Sequence, residues 1–156
     1  MLTIYVGDSR NVVRRIRCDH CNGNVEASAL RRHVAEMIGY TFTKTRRESG
    51  SRRIRLNLPE PQGGEQVISD YLRSAVWKYI LCESYEEAHD FQWYCIDRLR
   101  PHLNSGKKKW DERNAERYLR LLNNLVASTG YSYTRLDQNQ TGPGVYVLYH
   151  SNYPGP

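Results

Sequence analysis

Apolar positions along this chain fall into runs of two kinds. Short runs of β-branched and aromatic residues predict strands: LTIYV at 2–6, VWKYILCES at 76–84 and GVYVLYH at 144–150, with YSYTRL as a further short candidate. Longer runs with helical spacing predict helices. NVVRRIRCDH places Val12, Val13 and Ile16 on one side. ASALRRHVAEMIG at 27–39 turns Leu30, Val34, Met37 and Ile38 inward and stops at Gly39. QVISDYLRSA reads as a short helix. SYEEAHDFQWYCIDRLR at 84–100 opens on Ser84 and Glu87, spaced as a capping box, and closes at Pro101. WDERNAERYLRLLNNLVAST at 110–129 is a further helix, ended by Gly130. Between these runs, Gly7, Asp8 and Ser9 are expected to break the first strand, with Asp8 or Ser9 capping the helix after it. Residues 40–64 are polar and basic and end in PEPQGGE, which predicts an extended arm or hairpin with a turn. LNSGKKK reads as a linker, NQTGPG as a turn and SNYPGP as a turn-like tail.

A length of 156 residues fits one compact domain that can bury a core without staples. Lysine and arginine total 23 against 17 acids, a net charge of +6, and the cations are clustered: Arg14, Arg15 and Arg17, then Arg31 and Arg32, KTRR at 44–47, SRRIR at 51–55 and KKK at 107–109. Such clustering favours a polyanionic partner over a merely solvated surface. No segment is long and apolar enough to span a bilayer, and the N-terminal residues lack the charged and apolar regions of a signal peptide. An intracellular location, the cytoplasm of a prokaryote or the nucleus, is therefore expected. The four cysteines are then reduced. Cys18 and Cys21 make a single CxxC, short of the two such pairs that a structural zinc site usually needs.

Three segments carry a family resemblance. YVG at 5–7 followed by SRNVVRRI resembles the GIY-YIG nucleases, in which a strand ending in Tyr-Ile-Gly leads into a helix whose first turn bears an active-site Arg; Arg15 falls on that position. IDRLRPHLN at 96–104 is similar to the family's closing segment, a helix running into Pro-x-Leu-Asn, with Asn104 as the matching asparagine. GVYVLYH resembles the GIY strand, which ordinarily comes first and pairs with the Tyr-Ile-Gly strand through a hairpin. Here it comes last, so the resemblance is to a circularly permuted member. SALRRHVAEMIG, followed later by the third strand, is similar to a subset of the family. The resemblance implies an α+β fold: a small antiparallel sheet of about three strands flanked by helices. It implies a single nuclease-like domain over 1–156, with a core of 1–104 plus 143–149, a basic arm at 40–64, and a linker and added helix at 105–130.

By the same resemblance, Tyr5, Tyr146, Arg15 and Asn104 are the catalytic candidates, and Mg²⁺ or Mn²⁺ is the cofactor. Phosphodiester hydrolysis needs an activated water, charge on the phosphoryl oxygens and help for the leaving oxygen. A Tyr hydroxyl can relay the water's proton if a nearby cation lowers its pKa. His20 joins the list: the family often has a His or Tyr one turn after the Arg, at what is here Asp19, and His20 reaches the site if the helix ends early. The metal carboxylate departs from the pattern. The family's Glu position is Gln92, which keeps one oxygen but not the charge that holds a hard cation. Two explanations stand, an introduced Glu→Gln change that would trap an uncleaved complex, or a natural loss of catalysis. Asp8 stands where some members have Lys. Arg46, Arg47, Arg52 and Arg53 are expected to form an arm over DNA, with Arg31 and Arg32 helping from their helix. The leading expectation is a metal-dependent DNA endonuclease of restriction or repair type. The alternatives are a catalytically silent nucleic-acid-binding module and an adaptor that binds a protein through the helix at 110–129.

Overall fold

The computed structural model describes residues 1–152 of the chain; the last four residues of the expected tail, 153–156, lie outside the described residues. In chain order the elements are β1 (Leu2–Ser9), α1 (Val12–Arg14), a π-helical turn (Arg15–His20), α2 (Ala29–Ile38), β2 (Phe42–Arg46), β3 (Arg52–Leu56), α3 (Pro61–Arg73), β4 (Val76–Leu81), α4 (Tyr85–Leu99), α5 (Ala115–Ala127), β5 (Tyr131–Ser132) and β6 (Gly144–His150). The architecture is α+β, as expected. The main sheet has four antiparallel strands in the order β1-β6-β4-β5, one more than anticipated, and β2 and β3 form a separate hairpin.

The sheet divides two cores, and β6 lies inside it with both faces buried. Its side chains alternate strictly. Tyr146 and Leu148 join Val12, Ile16, Leu30, Val34, Leu72 and Trp77 on one side, while Val145 and Val147 join Phe91, Cys95, Tyr118 and Leu125 of α4 and α5 on the other. On α5, Tyr118, Leu122 and Leu125 are buried in this core, while Leu119 and Val126 remain exposed. On β1 the alternation breaks. A register shift between Thr3 and Tyr5 marks a β-bulge, and Ile4 and Tyr5 consequently both pack toward the first core while Val6 packs into the second.

β1 is the edge strand, and the chain after α4 covers part of that edge. Leu103 N–H donates to the Ile4 carbonyl at 2.8 Å. Asn104 then grips Val6 at both ends: its Oδ1 accepts the Val6 N–H at 2.8 Å and its Nδ2 donates to the Val6 carbonyl at 3.0 Å. Asn104 therefore braces β1 at Val6, on either side of which Tyr5 and Gly7 lie.

Several boundaries differ from the sequence reading. β1 runs through Gly7, Asp8 and Ser9, and the cap of the next helix is Asn11, whose side chain accepts from Arg14 N–H. α3 begins at Pro61, inside the segment expected to be a turn. Gly64 is consequently helical, and a Cβ there would come 2.6 Å from methyl groups of Leu56 and Leu58. YSYTRL yields only the two-residue β5 before a 3-10 turn. In the α4 cap, Ser84 Oγ accepts the Glu87 N–H at 3.0 Å, but the Glu87 carboxylate takes the N–H of Glu83 instead of completing the box.

Substituting Asn104→Ala removes the brace and leaves the Val6 groups without these partners. A cost of about 1–3 kcal/mol in urea unfolding is expected, with faster amide exchange at Val6. Unchanged stability and exchange would show that Asn104 does not hold the strand.

Candidate functional site

Gly7 and Tyr146 are directly opposed in the β1–β6 ladder, and Tyr5 pairs with Leu148 one step along the same face. The Tyr146 ring lies across Gly7, and a Cβ on Gly7 would overlap the phenol oxygen. That close approach is the physical reason for glycine at this position. The Tyr5 and Tyr146 rings stand 6.3 Å apart. Tyr146 is almost fully buried, whereas Tyr5 is half-buried and meets solvent.

The π-turn brings His20 beneath Tyr146. Cys21 N–H bonds the Ile16 carbonyl at 2.9 Å, five residues back. One extra residue in the turn carries position i+5 to where i+4 would lie in an α-helix. His20 thereby reaches the place expected of position 19, through a widened turn and not an early helix end. Gly23 permits the tight exit, since a Cβ there would strike the Asp19 carbonyl. His20 is fully buried. Its Nε2 is 2.6 Å from the Tyr146 hydroxyl, its Nδ1 is 2.7 Å from Ser28 Oγ, and its ring stacks parallel to Trp77. Asp19, displaced outward, takes Arg15 in an ion pair at 2.9 Å.

Burial governs the protonation states. The His20 imidazole is pushed well below its ordinary pKa by burial, with Arg15 and Arg31 acting in the same direction. Burial pushes Tyr146 well above 10, Tyr5 and Asp8 add to this, and Arg15 opposes it. Tyr5 is also raised by burial, against Arg15 and Arg32. Neither phenol is therefore activated by these residues alone, so the condition for a tyrosine relay, a cation that lowers its pKa, is not met by Arg15. The resting pair is a neutral phenol against a neutral imidazole.

Gln92 is buried on α4, and its Nε2 lies 3.4 Å from Asp8 Oδ2. His89, one turn earlier on the same helix face, puts Nδ1 2.7 Å from the same oxygen. Asp8 is only 14% exposed, and its carboxylate is held against α4 by these two side chains.

The expected DNA-contact residues divide. Arg31 does not qualify. It is fully buried, and its guanidinium is committed to the Glu65 carboxylate, the Glu65 and His20 carbonyls and Ser69 Oγ, at 2.7–3.3 Å. It clamps α2 to α3 and to the end of the π-turn. Arg32 is half-buried, bonded to the carbonyls of Val25 and Glu26, and lies within electrostatic reach of Tyr5. Arg47 is tied to Glu26 at 2.6 Å and to the Arg52 carbonyl. Glu26 also accepts the Ile54 N–H, so it pins the hairpin to the body. Arg46 and Arg52 are exposed at the hairpin tip, as are Lys44 and Arg55 along it, and Arg53 is half-exposed.

Sequence reasoning missed Ser28, His89 and His33 as members of this neighbourhood; the His33 ring is 6.4 Å from that of Tyr5. Only Ser28 left a signal, as the first residue of SALRR. It caps α2 by accepting the Arg31 N–H at 3.1 Å while holding His20.

Two tyrosines across a strand pair, a helical Arg and a His bonded to one phenol are thus brought together by the fold. A family model described as the GIY-YIG catalytic domain matches residues 1–124, and the chain belongs to that family. No curated protein and no solved structure matches it. β6 lies beyond the matched residues. Among the described residues, no helix is long and apolar enough to cross a membrane.

The buried neutral His20 has a consequence for stability. Its folded pKa lies below the unfolded value of about 6.5, so as pH falls through 6.5 the unfolded chain takes up a proton that the folded chain refuses. Stability is fully present above that value and falls by up to about 1.4 kcal/mol per pH unit below it. Urea unfolding at pH 7.5 and 5.5 is expected to show a steeper loss for the wild type than for His20→Gln. Equal losses would mean that His20 protonates freely in the fold.

Proposed function

We propose that this chain is a metal-dependent DNA endonuclease of GIY-YIG type, with its first catalytic strand supplied by β6. The observation that carries the reading is Tyr146 itself: it comes from the last strand, lies over Gly7 of the first, and is hydrogen-bonded to His20. Residue 156 joined to residue 1 would give the usual order of strands, so the arrangement fits a circular permutation of one domain.

In this reading Arg15 provides fixed positive charge beside the phosphoryl oxygens, where negative charge grows in the transition state. Tyr5, which meets solvent, orients the attacking water, whose proton leaves to bulk water; in the tautomer with His20 protonated at Nδ1, Nε2 accepts from the Tyr146 hydroxyl and holds that neutral phenol in place beside Tyr5. A divalent cation, when bound, supplies charge to the phosphoryl and leaving oxygens. Gln92 could give it one neutral oxygen, and the carboxylate hydrogen-bonded to Gln92 is that of Asp8, so the donor set fits a hard cation only as a pair. Exposed Lys44, Arg46, Arg52 and Arg55, with half-exposed Arg53, suit phosphate contact along the hairpin. The second reading, a silent nucleic-acid-binding module, draws support from Gln92 and from the Asp19 partner that offsets Arg15.

Plasmid nicking with Mg²⁺ or Mn²⁺ tests the proposal. Gln92→Glu is expected to cleave faster than the wild type. In that background Tyr146→Phe and Tyr5→Phe should each lower cleavage by about 10²-fold or more while DNA affinity changes little. Neutralising Arg46, Arg52 and Arg53 together should weaken DNA binding and flatten its salt dependence. Salt-dependent DNA binding with no cleavage by either the wild type or Gln92→Glu would establish the silent module instead.

A further inference from the structure

The place where the family carries its metal carboxylate holds an amide, yet a carboxylate stands against that amide. We infer that Asp8 takes over the cation-binding charge from position 92, so that a divalent cation site is formed by Asp8 from the end of β1 and the side-chain oxygen of Gln92 on α4. The inference rests on the endonuclease reading above and deepens it by naming the residue that holds the metal.

Three observations carry it. Asp8 is the acidic side chain that Gln92 hydrogen-bonds, at 3.4 Å. It lies one residue beyond Gly7 on β1, and its charge reaches both Tyr146 and Tyr5. The hydrogen bonds from Gln92 and His89 both fall on Oδ2, so Oδ1 is the oxygen placed to meet a cation. The Gln92 amide points its NH₂ group at the carboxylate. A half-turn about the last side-chain bond would present its carbonyl oxygen instead, and the pair would then offer one charged and one neutral oxygen. Hydrated divalent cations in phosphoryl-transfer sites bind through one or two carboxylates and keep several waters and substrate oxygens. A single Asp with an amide partner is enough for that mode of binding. The same positions explain why Lys-type assistance is missing after YVG: the residue there carries the opposite charge because it serves the metal.

This swap predicts a charge that can be moved between two positions. Mn²⁺ is the probe, titrated into the full chain without DNA and followed by the EPR signal of free Mn²⁺. Four variants are compared with the wild type: Asp8→Asn, Asp8→Glu, Gln92→Glu and the double change Asp8→Asn with Gln92→Glu. The wild type should bind one Mn²⁺. Asp8→Asn should weaken binding at least tenfold, and Asp8→Glu should retain most of it. Gln92→Glu should bind more tightly than the wild type, and the double variant should recover affinity lost in Asp8→Asn. Circular dichroism melts confirm that each variant is folded, and Asp8→Glu separates loss of charge from loss of shape. Wild-type affinity in Asp8→Asn would overturn the assignment. So would a wild type that binds no Mn²⁺ while Gln92→Glu does, an outcome that leaves the endonuclease reading standing. Absence of binding in all five proteins would overturn both the assignment and the metal dependence of the proposed activity.

Discussion

The packing of the Tyr146 ring on the bare Cα of Gly7 is the contact on which the site depends. It is possible only if β1 and β6 are antiparallel neighbours with these two residues opposite one another, and that is the observed register. A shift of one residue would turn Tyr146 out of its core and bring Val145 or Val147 into the wrong one. Because β6 is buried on both faces, such a shift would misplace every side chain it contributes. The register is therefore fixed by burial, and the phenol is fixed by the register. Asn104 completes the constraint from the other side by gripping Val6 and keeping the edge strand in place.

The polar interior follows from that position. A phenol oxygen buried at the centre of a fold needs a partner, and the π-turn delivers His20 to it. His20 then needs a partner of its own, which is Ser28, and Ser28 sits at the start of α2 because it caps that helix. Arg31, three residues on, bonds the His20 carbonyl and locks α3 with Glu65 and Ser69. The SALRR segment is thus a clamp that runs from the site into the core. Its conspicuous positive charge is spent internally. Burial imposes neutral states on His20 and Tyr146, and the two are held together as a neutral hydrogen bond inside the core.

Much of this could be read from the sequence. The strands at both chain ends and the helices at 27–39 and 84–100 followed from residue types and spacing, whereas Tyr5, Arg15 and Tyr146 were singled out only through the family resemblance. What escaped had no local signature. The bulge after Thr3 depends on which partner strand is met, and it sets Ile4 and Tyr5 on one side of the sheet. The π-turn inserts a residue into a pattern that periodicity counts as an ordinary helix, so Asp19 held the place that His20 fills. Arg31 looks like any arginine on an amphipathic helix until Glu65 and Ser69 are brought to it from α3. The helical start at Pro61 hid behind two glycines because Gly64 answers to a close approach of Leu56 and Leu58 and not to a turn. Asp8 and Gln92, far apart in sequence, become neighbours only through the packing of α4 on β1.

The most direct measurement is made on a rejoined chain that begins at Asn139, runs to residue 156, continues through residue 1 and ends at Gln138. The cut falls in an exposed turn, where new termini are best tolerated, and it restores the strand order of the ordinary family. If β6 is the displaced first strand of one domain, the rejoined protein should fold with the same near-ultraviolet dichroism. Its urea midpoint should lie close to that of the natural order, and Tyr146→Phe should shift both midpoints by the same amount. A rejoined chain that does not fold, or one whose stability no longer responds to Tyr146, would contradict the account.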